Sequence, residues 1–227
     1  MIESPTSGRG LIFYTTAADF CEISIFVPYT LYMSTPHAGV YSRASGFAHP
    51  HTNVSVMGIH PGMKVADFGA GSGAYVLAVA QALSGSGVVY AIDIQKDLLR
   101  RIANEARHKH YNTVEIIWAD LEEAGASKLA PGIIDIVIMS NLLFQLRDKM
   151  PPLREARRIL KSTGKLIIID WTDSFGGLGP RHDDVVLKAE ALDLALKAGF
   201  EIGREFEAGA HHYGLICRIP GQKRRVQ

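Results

Sequence analysis

Cysteine is nearly absent: only Cys21 and Cys217 occur in 227 residues, too few for a disulfide framework. Neither they nor His37, His49, His51 and His60 fall into metal-ligand spacing, so no metal site is expected, and the thiols read as ordinary buried groups of a reducing, cytoplasmic compartment. A long unbroken apolar run is also missing. The most apolar stretch, residues 11–33, is interrupted by Asp19, Glu22 and Pro28, which a bilayer-spanning helix would tolerate poorly. A basic n-region followed by a small-residue cleavage site is absent too, which argues against a secretory leader. Charge of one sign is lacking: 24 basic against 23 acidic side chains leave +1, no field that would draw the protein to nucleic acid or anionic lipid. No membrane and no nucleic acid is therefore expected as a partner, and a small molecule fits better.

What is present is an ordinary folded composition, 47% hydrophobic and 21% charged, at a length that suits one large domain with an extension. From Met63 onward, short β-branched runs alternate with helix-period segments, the pattern of βαβ units on a parallel sheet. The runs MKVADF, GVVYAID, TVEIIWAD, IDIVIMS and KLIIID are read as five strands, closing on or beside Asp67, Asp93, Asp120, Ser140 and Asp170. These ends recur at intervals of about 20 to 30 residues, close to one βαβ repeat. Helices are expected over residues 74–83, stopped by SGSG, and 95–109, with Leu98, Leu99, Ile102 and Ala106 on one face. A third follows Asp148, with Pro151 and Pro152 in its first turn, and a fourth runs from an Asp183 cap to Ala198. HPHT is read as a turn, Thr52 capping a helix that starts at Asn53. The last two runs, FEIGREFEAG and HHYGLICRIP, are close enough to pair as an antiparallel hairpin.

The expected architecture is thus α/β: a Rossmann-like, doubly wound, mostly parallel sheet of seven strands with a reversed C-terminal hairpin. Three segments are expected: an aromatic N-terminal extension over residues 1–46, a main domain over 47–219 and a basic tail over 220–227. The extension carries only five charges but many aromatics, so it must pack on something. A lid over the sheet and an arm for a homodimer are its two readings.

Ligands of such sheets bind beyond the carboxyl ends of the strands, beside the first one. There stands VADFGAGSGAYV, with Gly69, Gly71 and Gly73 spaced GxGxG rather than the GxGxxG of a dinucleotide loop, and Asp67 two residues ahead. An acid at that point repels phosphate and suits a cofactor bearing an amino group and a sulfonium. The string DFGAGSG, with Asp93 and Asp120 closing the next two strands, resembles the class I S-adenosylmethionine-dependent methyltransferases. GMKVADFGAGSG, RRILKSTGKLIIIDW and AGFEIGREF look most like the ubiquinone/menaquinone-biosynthesis type.

The resemblance implies that Asp67, Gly69, Ala70, Gly71 and Gly73 form the wall facing the methionine half of S-adenosylmethionine. It further implies that Asp93, followed by Ile94, takes the ribose hydroxyls, that Asp120 and Leu121 meet the adenine, and that Ser140 and Asn141 lie near the sulfonium. Methyl transfer asks mainly for positioning, so a catalytic residue can be invisible in a sequence. Where the acceptor must lose a proton, the candidate catalytic bases are Asp170, His211 and His212. The absence of an NPPY-type motif argues against methylation of base amines, and that of a Pro-Cys nucleophile against cytosine C5 chemistry. Arsenic methyltransferases resemble the glycine loop but rely on several cysteines. The expected function is methyl transfer to a small organic acceptor by in-line displacement. The alternatives are an RNA or protein methyltransferase, a cofactor-binding protein without activity and, disfavoured by GxGxG, a nicotinamide oxidoreductase.

Overall fold

A computed structural model of the chain describes residues 48–175, 177 and 179–221. The N-terminal extension, Cys21 and most of the basic tail lie outside these residues. Seven strands form one sheet: β1 (Lys64–Phe68), β2 (Val88–Asp93), β3 (Val114–Trp118), β4 (Ile134–Ser140), β5 (Leu160–Trp171), β6 (Glu201–Gly209) and β7 (His212–Arg218). Their spatial order is β3-β2-β1-β4-β5-β7-β6, with β7 antiparallel to both neighbours and the first five strands parallel. This is the doubly wound sheet with a reversed hairpin that the sequence implies. The chain steps outward from β1 to β3, then crosses back to β4, so a crevice opens at the carboxyl ends of β1 and β4.

Five α-helices cover the two faces: α1 (Pro50–Met57), α2 (Ala74–Leu83), α3 (Lys96–His108), α4 (Met150–Ile159) and α5 (Lys188–Lys197). Strand alternation decides which side chain meets which helices. On β5, Leu166 and Ile168 join the core beneath α4 and α5, while Ile167 and Ile169 join the core beneath α1, α2 and α3. The same phase turns Val65 of β1 and Ile136 and Ile138 of β4 toward α1–α3. Carried to the strand tips, it sends Asp67, Ser140 and Trp171 to the α1–α3 face and Asp170 to the opposite one.

Four boundaries differ from expectation. Thr52 is no cap: α1 begins at Pro50, because proline suits a first helical position, and His49 occupies the cap without a side-chain bond. Asp183 lies in a separate short turn, His182–Asp184, and α5 starts only at Lys188 after Leu187. β3 stops at Trp118, short of Asp120, which belongs to the following turn. β5 begins at Leu160, its extra residues taken up by a register shift opposite Ile134 and Ile136.

The terminal hairpin is locked by one close approach. Phe206 of β6 lies directly opposite Gly214 of β7, and a Cβ on Gly214 would stand 2.4 Å from the phenyl ring. The ring occupies the space that a larger residue would need. Gly214→Ala should therefore cost ~1–3 kcal/mol of stability, with Phe206→Leu recovering part of it in the double variant. Urea unfolding measures both, and an unchanged midpoint for Gly214→Ala would refute this packing.

Candidate active site

The bend after β1 is set by backbone conformation. Gly69, Gly71 and Gly73 take φ values of +71°, +53° and +81°, a region L-residues rarely enter. Space is equally restrictive: a Cβ at Gly69 would lie 2.7 Å from Cδ1 of Leu142, and one at Gly73 2.6 Å from Cγ1 of Ile102. The amides of Gly69 and Ala70 both donate to the carbonyl of Ile92, at 2.9 and 3.0 Å, hooking the bend onto the tip of β2. At Gly71 a Cβ would meet nothing closer than 3.7 Å, so a ligand can approach the backbone there.

Asp93 joins this bend to the next turn. One carboxylate oxygen accepts the Gly71 amide and the other the Gln95 amide, each at 2.8 Å. Each oxygen keeps a further lone pair, so the group can still accept from a diol. The 93–96 turn is held from its far side by Trp118, whose indole N–H donates to the Ile94 carbonyl at 2.8 Å and whose ring carries the Lys96 ammonium 4.0 Å from its centroid. Ile94 and Trp118 are both more than half exposed, an apolar surface beside the acid. Asp120 accepts the amide of Glu122 at 3.0 Å, and Leu121 is buried behind it.

Asp67 is 2% exposed, and burial, reinforced by the charge of Asp93, pushes its pKa up to about 8. Two acids thus share a small space where one stays protonated at neutral pH without a cation. At the tip of β4, Asn141 sits at φ +53° with its amide donating to the Ile169 carbonyl at 2.8 Å, and its side-chain oxygen is buried without a partner. A buried acceptor left open and a pair of mutually repelling acids both fit a ligand that brings N–H donors and positive charge.

Two residues that pattern reading missed reach the same place. Tyr75, in the first turn of α2, lies beside Ser140 and Asp67 and accepts from Nδ2 of Asn53 at 2.8 Å. Asn53 also donates to the Ala208 carbonyl of β6 at 3.0 Å, tying α1 to the hairpin. The available signal was a tyrosine at the second position of AYVLAVAQAL, which is otherwise aliphatic except for Gln81.

The three candidate bases part company. Asp170 is 1% exposed, and its oxygens accept the amides of Leu143 at 3.0 Å and Trp171 at 2.9 Å, anchoring the turn Leu143–Gln145. Burial still raises its pKa to about 7, against the lowering effect of those amides. His212 is 3% exposed and packs on Trp171 at 4.3 Å; burial lowers its pKa to about 4, and neither ring nitrogen has a partner. His211 is partly exposed, its Nδ1 3.1 Å from an Asp173 oxygen. Among the described residues there is no group of three or more His, Cys, Asp or Glu able to hold a metal ion.

A family model described as a methyltransferase domain matches residues 59–208, most of the chain, and the chain belongs to that family. It is 30% identical over 161 residues to an arsenite methyltransferase of Aquipseudomonas alcaligenes, covering 68% of this chain and 44% of that protein. It is also 30% identical to a ubiquinone/menaquinone biosynthesis C-methyltransferase of a Shewanella species, covering 59% of this chain and 49% of the relative. The chain thus spans about half the length of these curated relatives. A crystal structure of an S-adenosylmethionine-dependent methyltransferase from Aquifex aeolicus superposes with a TM-score of 0.68 at 25% identity, covering 75% of this chain and 89% of that one. The fold is that of the class I S-adenosylmethionine-dependent methyltransferases, and S-adenosylmethionine is the cofactor that goes with it.

Removing the Asp93 carboxylate releases the Gly71 amide and takes away the acceptor expected to hold the ribose. Hydrogen bonds to charged groups are worth ~1.5–3 kcal/mol, so Asp93→Ala should weaken S-adenosylmethionine binding roughly ten- to a hundredfold. Calorimetry is the measurement; undiminished affinity would take Asp93 out of the site.

Proposed function

We propose that this protein transfers the methyl group of S-adenosylmethionine to a small organic acceptor by in-line displacement. The observation that carries the reading is the pair of buried acids, Asp67 and Asp93, behind a glycine bend tied to one of them. A pyrophosphate would add negative charge to that crevice, whereas an ammonium and a sulfonium relieve it. In this reading Gly69, Ala70, Gly71 and Gly73 line the methionine half with Asp67, Asp93 takes the ribose diol, and Ile94, Asp120 and Leu121 receive the adenine. Ser140 and Asn141 stand at the sulfonium end.

When bound, the cofactor supplies an already activated methyl group, so the protein's task is to hold an acceptor at roughly 3–3.5 Å in line and keep water out. The α1–α3 side of the β5 tip provides aromatic surface for this, with Trp171 and His212 in contact and Phe175 stacked on His211 at 3.9 Å. That surface and the near-neutral net charge favour a small organic molecule over RNA. Arsenite, the acceptor in the name of one relative, fits less well. The only described cysteine, Cys217, is buried in the sheet, and its thiol is pushed up to about 12.

Asp67 gives the reading a pH signature. Its carboxyl is protonated below about pH 8 in the free protein, and a bound cation favours the ionised form. Binding should therefore release a proton and tighten with rising pH until about 8, with the slope abolished in Asp67→Asn. Calorimetry in buffers of different ionisation enthalpy reads the proton directly; zero release at pH 7 would contradict the assignment. Incubation with methyl-labelled S-adenosylmethionine and separate pools of small metabolites, RNA and protein tests the acceptor. Label is expected in the small-molecule pool, and its appearance only in RNA or protein would sink that choice.

A further inference from the structure

The loop that follows β5 grips one histidine by three unrelated contacts. The Thr172 amide donates to the His211 carbonyl at 2.9 Å. The Asp173 carboxylate straddles Nδ1 of His211, its oxygens at 3.1 and 3.4 Å. Phe175 stacks on the imidazole, centroids 3.9 Å apart and planes 26° from parallel. Three residues of a four-residue stretch thus fix the backbone, the hydrogen-bonding edge and the face of the same ring. The loop is itself seated on the sheet: Gly179 lies against the Trp171 indole so closely that a Cβ would fall 2.7 Å from it.

A carboxylate on Nδ1 selects the tautomer with the proton on that nitrogen and leaves Nε2 as a free acceptor. The other two candidates lack this freedom. Asp170 turns to the α4–α5 face with its oxygens on backbone amides, and His212 is enclosed against Trp171. The β5–β7 pairing sets Trp171 opposite His212, so His211 stands just past the carboxyl end of β5, on the rim that also holds Ser140 and Asn141.

We propose that His211 is the base that takes a proton from the methyl acceptor, and that Asp173 is the positioning residue that holds it in the required tautomer. The proposal rests on the methyl-transfer reading above and deepens it. It names the acceptor class as molecules whose nucleophilic atom carries a hydrogen, such as a hydroxyl. The acceptor atom forms its bond to the methyl carbon as the carbon–sulfur bond breaks and leaves its electron pair on sulfur. The proton that the atom carried passes to Nε2 and from there to water.

Nitrogen-15 NMR of histidine-labelled protein tests the dyad without any acceptor. His211 is expected as the Nδ1–H tautomer in the unaltered protein, with that preference lost in Asp173→Asn; an Nε2–H tautomer, or no change in the variant, overturns the pairing. Catechol and methyl-labelled S-adenosylmethionine test the chemistry. His211→Ala and Asp173→Asn should lower kcat about a hundredfold or more while the KM for S-adenosylmethionine stays within about twofold. Asp173→Glu should restore part of the loss. Undiminished kcat in His211→Ala refutes the base, and a protein that binds S-adenosylmethionine yet leaves catechol unlabelled refutes the acceptor class. Failure to bind S-adenosylmethionine at all would count against methyl transfer itself and leave the tautomer result standing.

Discussion

Repulsion between two carboxyls in one crevice is the constraint on which the rest of the site depends. Asp67 and Asp93 stand on adjacent strands, both nearly removed from water, and among the described residues no cation is paired with either. The protein tempers the cost of that placement in two ways. Asp93 is stabilised as an anion by two backbone amides, whereas Asp67 holds its proton. The arrangement is a stored preference for positive charge, and the fold supplies it at the carboxyl ends of the parallel strands.

The glycine bend and the anchored turns serve this crevice mechanically. Gly69 lets Leu142 pack against the backbone, and Asp170 fixes the turn that follows Leu142 through the Leu143 amide. The glycine bend and the β4 turn are therefore braced against each other through one leucine. Tyr75 and Asn53 extend the bracing to the hairpin, since Asn53 reaches both the Tyr75 hydroxyl and the Ala208 carbonyl. A shift of the hairpin would be felt at Tyr75 through Asn53, and both side chains are buried.

The first five strands were legible because they are rich in β-branched residues and close near an acid or serine, and the last two because they lie close enough in the chain to pair as a hairpin. The helices were legible because their apolar stripes keep a 3.6-residue period, and α2 stops at the expected SGSG, where Ser84 itself takes the left-handed turn ahead of Gly85. Helix starts were less so: Thr52 and Asp183 carry the right side chains for caps, but proline geometry and a separate short turn moved the true starts elsewhere. Among the expected site residues, the glycines and the three acids form a local pattern in the chain. Tyr75, Asn53 and Asp173 do not, because their partners lie 22, 155 and 38 residues away in the chain. Nor does a sequence say that Asp170 faces away from Asp67, since that follows from the phase in which β5 meets its neighbours.

The chain has two tryptophans, and the sheet sets them far apart in kind. Trp118 lies on the edge strand beyond Asp93, 52% exposed; Trp171 lies at the tip of β5 against His212, 6% exposed. An indole in water and one shielded by protein emit at different wavelengths and answer differently to a dissolved quencher. The molecule therefore carries its own pair of optical probes, one beside the turn that Asp93 anchors and one at the tip of β5.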